Sequence, residues 1–194
     1  MKIHQLMVLI ICIMMGSCSV SKNQTSGIPV NQLAKDRFGN DMLIGKCTRS
    51  ALAEAPFDSW FQQNYDAYIV DSFTCTFIKP LLANKTITIF MGTWCGDSKR
   101  EVPRFLKMLD CCGFPDKRIN LVMVSNQESE YKKSPQHEEE GKNIVRVPTI
   151  IIEENGIEIG RIIELPKQSL EKDLLAILRH EPYTPNYNNL IINT

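Results

Sequence analysis

Thr86-Ile87-Thr88-Ile89-Phe90-Met91-Gly92-Thr93-Trp94-Cys95-Gly96-Asp97-Ser98 runs from an apolar stretch into a tight turn and on towards a helix-like segment, Lys99 to Leu109. A β-branched run bounded by glycine reads as a short buried strand. The turn then sets Cys95 at a helix N-terminus. Unpaired backbone N–H groups and the helix dipole favour a thiolate over a thiol at such a position, and the thiolate is the reactive form of cysteine. Three positions on, Ser98 stands where a second cysteine would make a dithiol.

Working outward, a regular alternation follows. Lys99 to Cys112 places Val102, Phe105, Leu106 and Leu109 on one side, with Pro103 expected to bend the helix. Gly113-Phe114-Pro115-Asp116 ends it. Ile119 to Val124 is the next strand. Asn126 to Asn143 is polar, contains Glu138-Glu139-Glu140, and is expected to be a short helix or a mobile loop with the glutamates solvated. Thr149 to Glu153 and Ile157 to Ile163 flank Glu154-Asn155-Gly156, a hairpin signal. Lys167 to Arg179 is a closing amphipathic helix. The order predicts an α/β fold with a mixed central sheet, a parallel βαβ unit followed by an antiparallel hairpin, and helices on both faces.

Upstream, Ala51 to Ala55 favours helix up to Pro56, and Phe57, Trp60, Phe61, Tyr65 and Tyr68 share a helical face that is expected to pack on the main domain. Ser72 to Leu82 reads as a strand or a helix. Residues 28–69 are therefore expected to form an N-terminal helical extension, 70–181 the main domain, and 182–194 an extended tail.

At the N-terminus, Lys2 precedes an apolar run from Leu6 to Met15, too short to span a bilayer of about 30 Å. It ends in Met15-Gly16-Ser17-Cys18. Small residues before a cysteine resemble a bacterial lipoprotein signal. That resemblance implies removal of residues 1–17, lipid on Cys18, a polar tether over 18–27, and attachment to a membrane of the bacterial cell envelope.

Acidic and basic residues balance at 22 each, so no nucleic-acid partner is indicated. His137 and His180 lack paired ligand spacing, so neither a metal nor another cofactor is expected. Of seven cysteines, Cys12 lies in the signal and Cys18 at its end. Cys47 and Cys75 are candidates for a structural bridge, Cys111 and Cys112 for buried or free thiols, and Cys95 for the thiol left free.

The Trp94-Cys95-Gly96 run at the first strand–helix junction, Pro103 in the helix, Val147-Pro148-Thr149 opening the third strand, and Gly156 and Gly160 in the hairpin together resemble the thioredoxin-like family. The resemblance covers about residues 70 to 180. It implies a three-layer thioredoxin-like fold with Pro148 in a cis peptide, facing Cys95. It also implies thiol–disulfide exchange on protein or low-molecular-weight thiols and disulfides. Cys95 would be the nucleophile, with Ser98 hydrogen-bonding to its thiolate. Trp94, Gly96, Asp97, Val147 and Pro148 would form the substrate-docking edge.

Two departures bear on the chemistry. Ser98 cannot attack a mixed disulfide, so resolution needs an external thiol. Cys111, about 24 Å of helix away, cannot stand in for it. Ile89 stands where the family places a buried acid. The charge of Asp97 opposes thiolate formation, while Lys99 and Arg100 favour it. A second reading keeps the fold as a redox-inactive binding module for a peptide or small ligand.

Overall fold

The computed structural model describes residues 29–192. The expected signal segment, tether and lipidated Cys18 lie outside the described residues. The chain is a mixed α/β structure on a six-stranded sheet of order β1-β2-β4-β3-β5-β6. Its strands are β1 (Gln32–Lys35), β2 (Asp41–Cys47), β3 (Lys85–Met91), β4 (Ile119–Met123), β5 (Thr149–Glu154) and β6 (Ile157–Ile163). The helices are α1 (Arg49–Leu52), α2 (Asp58–Ala67), α3 (Ser72–Ile78), α4 (Gly96–Cys111), α5 (Leu170–Leu178) and α6 (Asn188–Ile192). Strands β3 and β4 are parallel across the α4 crossover, while β5 runs antiparallel to β3, and β6 to β5. This is the pairing expected from the strand–helix alternation.

The extension is not purely helical. β1 and β2 form an antiparallel hairpin, and β2 continues the main sheet by pairing with β4. The turn between them is closed by Asp36, whose carboxylate accepts from the Phe38 and Asn40 N–H groups at 2.8 Å, with Gly39 at φ +86°. Helical signals dominate the rest of the extension. The β2 run Met42-Leu43-Ile44-Gly45 lacks clean alternation, because a strand covered on both faces buries neighbouring residues. The tail departs from expectation too: instead of staying extended it closes in the short helix α6. Ser72 to Leu82 resolves to helix, α3 followed by a 3-10 turn.

Side-chain alternation along β3 divides the core. Ile87, Ile89 and Met91 pack with buried residues of α1 to α5, including Leu52, Phe61, Cys75, Phe105, Leu106 and Leu174. Phe90 faces the other way, into a smaller cluster with Val122, Val124, Val147 and Ile151. Among the described residues, α1 to α5 all contribute to the first of these faces. The other carries the irregular segment 124–147. That segment is rich in charge and carries Pro135 and Gly141, so it offers no apolar stripe on which a helix could pack.

The aromatic face of α2 packs as expected, with Phe57 and Phe61 buried and Trp60 and Tyr65 packed against the core. The Asp110 carboxylate, near the end of α4, joins Arg49 and Tyr65 and so ties the extension to that helix. Burial pushes its pKa up, but hydrogen bonds from Arg49 and Tyr65 outweigh burial and hold it below the ordinary carboxylate value. Glu171 of α5 is buried and accepts from the Tyr68 hydroxyl at 2.8 Å and the Asp71 N–H at 3.2 Å.

The glutamate run is also not simply solvated. Ser134 is buried and donates its hydroxyl to Glu138 at 2.6 Å, while its N–H donates to Glu139 at 3.0 Å. Among the described residues no helix is long and apolar enough to cross a membrane.

Candidate thiol site at the start of α4

Cys95 ends the β3–α4 turn. Its N–H donates to the Gly92 carbonyl at 2.9 Å, and its own carbonyl accepts the Lys99 N–H at 3.0 Å, the first bond of the helix. Cys95 is therefore the N-cap residue, with extended backbone at φ −90° and ψ 126°. The free N–H groups of the first turn surround it. The residue is partly exposed.

The sulfur meets the third strand. Cys95 Sγ lies 3.2 Å from the Val147 carbonyl oxygen and donates to it. The Val147–Pro148 bond is cis. Two segments about fifty residues apart in sequence thus meet at one sulfur atom. Thr149 and Glu164 secure the strand side: the Thr149 hydroxyl donates to the Arg146 carbonyl at 2.6 Å, and the Glu164 N–H to the Pro148 carbonyl at 2.7 Å.

Trp94 turns to the sheet face that Phe90 occupies. Its indole N–H donates to the Val124 carbonyl at 2.7 Å, and its ring lies 6.0 Å from that of Tyr131. The turn requires glycine at 92, since a Cβ there would stand 2.4 Å from Trp94 Cε2. Gly96 is exposed and open to solvent.

Ser98 takes a different neighbour from the expected one. It is fully buried, and its hydroxyl accepts the Gly92 N–H at 3.3 Å, so it braces the turn from beneath. The charges close to the turn are also redistributed. Arg100 pairs with Asp97 at 2.7 Å and with Glu101 at 2.6 Å, which draws both Asp97 and Arg100 away from acting singly on the sulfur. Lys99 reaches over the Trp60 ring at 5.9 Å.

A cation that interacts with Cys95 comes from elsewhere. Lys132, in the irregular segment, donates to the Val145 carbonyl at 2.6 Å and interacts electrostatically with Cys95. Burial, then the neighbouring Arg146 charge, push its pKa below the ordinary lysine value, while Glu164 and Cys95 act in the opposite sense. Nothing in the local sequence marks Lys132. It sits in a polar stretch with no periodicity, and only the folding of that stretch over Phe90 and Trp94 carries it to Cys95.

Beside the turn lies an open groove of about 630 Å³, lined by Lys35, Asn40, Asp41, Trp60, Thr93 and Lys99 among others. Thr93 also anchors the hairpin, its hydroxyl accepting the Leu43 N–H at 3.1 Å. The N-terminal extension therefore shapes one flank of the site. Among the described residues no group of three or more His, Cys, Asp or Glu side chains converges to hold a metal ion. Compared with known proteins, the chain matches no family model, no curated protein and no solved structure.

Proposed function

We propose that this chain acts in thiol–disulfide exchange through the single nucleophile Cys95, as a monothiol relative of the thioredoxin-like family. One observation carries the reading: the partly exposed Cys95, at the N-cap of α4, sets its sulfur 3.2 Å from the Val147 carbonyl oxygen on the opposite strand side. The sulfur sits at the start of α4, and Lys132 interacts with Cys95 electrostatically. Attack of the Cys95 thiolate on a disulfide R–S–S–R forms Cys95–S–S–R and releases R–S⁻, which takes up a proton. An external thiol R′–SH then attacks the mixed disulfide and regenerates Cys95, leaving as R–S–S–R′. Val147 and Pro148, with Trp94, Gly96 and Asp97, form the edge on which the substrate docks.

Competition with iodoacetamide at neutral pH tests this. Cys95 is expected to be alkylated at least about tenfold faster than the exposed Cys111. Lys132→Met is expected to slow Cys95 several-fold while leaving Cys111 unchanged. Cys95 reacting no faster than Cys111 overturns the proposal. That outcome favours the second reading, a redox-inactive module holding a peptide or small ligand, for which the open groove beside Thr93 and Lys99 is the supporting observation.

The leader-like segment extends the proposal to location: residues 1–17 are removed and Cys18 is lipidated, anchoring the protein in the bacterial cell envelope. Expression in a bacterial host with an alkynyl fatty acid is expected to label the chain, and Cys18→Ser to remove the label. Persistence of the label in that variant refutes the anchor.

A further inference from the structure

The far end of α4 gathers three more thiols. Cys111 is exposed at the last turn, Cys112 caps the helix and is buried, and Cys75 of α3 is buried beside them. At this end of α4 the Cys75 side chain interacts with those of Cys112 and Cys111. The surrounding chain holds this arrangement in place. Gly113, at φ +71°, donates to the Asp110 carbonyl, and Phe114 donates to that of Leu109, which closes the helix. A Cβ on Gly113 would stand 3.9 Å from the Lys79 side chain, which directly follows α3. Cys75 and Cys112 share one core cluster with Ile78, Leu109 and Phe114. Cys47, the partner first suggested for Cys75, lies instead in β2 beside Thr48 and Leu121 and is a free thiol.

We infer that Cys75, Cys111 and Cys112 form a second thiol–disulfide centre, in which exposed Cys111 captures a low-molecular-weight disulfide and passes the oxidation inward to a Cys75–Cys112 disulfide joining α3 to α4. The inference is independent of Cys95, which sits at the opposite end of the same helix. Burial raises the pKa of both the Cys75 and the Cys112 thiol, so neither is a competent first nucleophile. An exposed neighbour supplies the entry.

The steps balance. The Cys111 thiolate attacks R–S–S–R, forms Cys111–S–S–R and releases R–S⁻, which takes a proton. Cys75 then attacks the Cys111 sulfur, and its proton leaves with the second R–S⁻ as R–SH. Cys112 attacks Cys75 in turn, freeing Cys111 as a thiol. Overall, two protein thiols lose two electrons and two protons, and one small disulfide becomes two thiols.

The full chain carrying Cys95→Ser, reduced and then exposed to oxidised glutathione, provides the test. Acid quenching, alkylation and peptide mass mapping are expected to show a cross-link between the peptide containing Cys75 and the one containing Cys111 and Cys112, with the mass loss of two hydrogens. Adding Cys111→Ser, an exposed change that spares the core, is expected to slow cross-linking about tenfold or more and leave its end point intact, which then identifies Cys112 as the partner. Cross-linking as fast without Cys111 overturns the relay. Glutathione remaining as a mixed disulfide on Cys111, with Cys75 still alkylatable after denaturation, overturns the centre itself. None of these readings depends on whether Cys95 is a nucleophile.

Discussion

The Ser98→Cys variant is expected to release a mixed disulfide from Cys95 without added thiol, at least about 10²-fold faster than the parent chain. In the parent, the Cys95 adduct waits for an external thiol, because the Ser98 hydroxyl cannot attack sulfur. The introduced thiol stands one helical turn from Cys95 and attacks intramolecularly. Restriction to one turn of helix replaces diffusion of a second molecule, which is why the gain is large. The position is buried beneath the turn and receives the Gly92 N–H, and sulfur for oxygen is a small change in volume there. Mass spectrometry of the glutathione adduct, followed over time after removal of free thiol, reads the result. An adduct equally long-lived in both proteins shows that a thiol at 98 cannot reach the sulfur, and the exchange geometry proposed for Cys95 is then wrong.

Phe61→Ala is expected to cost about 3–5 kcal/mol of stability, the range for truncating a buried aromatic. Phe61 projects from α2 into the main core, stacks on Tyr65 at 6.1 Å between ring centroids, and packs edge-on against Trp60. Its cavity would open against α4, the helix that begins at Cys95. Urea unfolding followed by tryptophan fluorescence and by circular dichroism is expected to give coincident transitions with a lowered midpoint. The extension and the main domain share one core and one sheet, so they unfold together. Two separated transitions, or a loss below about 1 kcal/mol, contradict that shared core.

Local rules were enough for the central alternation. The run Thr86 to Met91 is β-branched and bounded by Gly92, Glu154-Asn155-Gly156 is a turn sequence, and Val102, Phe105, Leu106 and Leu109 recur at helical spacing. Each of these signals lies within a dozen residues, so strand, turn and helix follow without knowledge of their neighbours. The N-cap position of Cys95 follows in the same way. The β1–β2 hairpin left a legible trace, Asp36-Arg37-Phe38-Gly39-Asn40, between a four-residue strand too short to show a period and a strand whose neighbouring Met42 and Leu43 are both buried.

Long-range placement is another matter, because it depends on which surfaces bury each other. Composition and spacing alone place Cys95 at a helix start as a candidate nucleophile, with Ser98 where a resolving thiol would stand. Tertiary packing turned the Ser98 hydroxyl to Gly92, tied Arg100 to Asp97, laid the segment around Lys132 over Phe90, and set Cys75 against Cys112 rather than Cys47. The physical reason is the range of the interactions. Dihedral preference and hydrophobic period act over a few bonds, whereas hydrogen-bond partners, charge neighbours and thiol pairs are chosen by burial among segments distant along the chain.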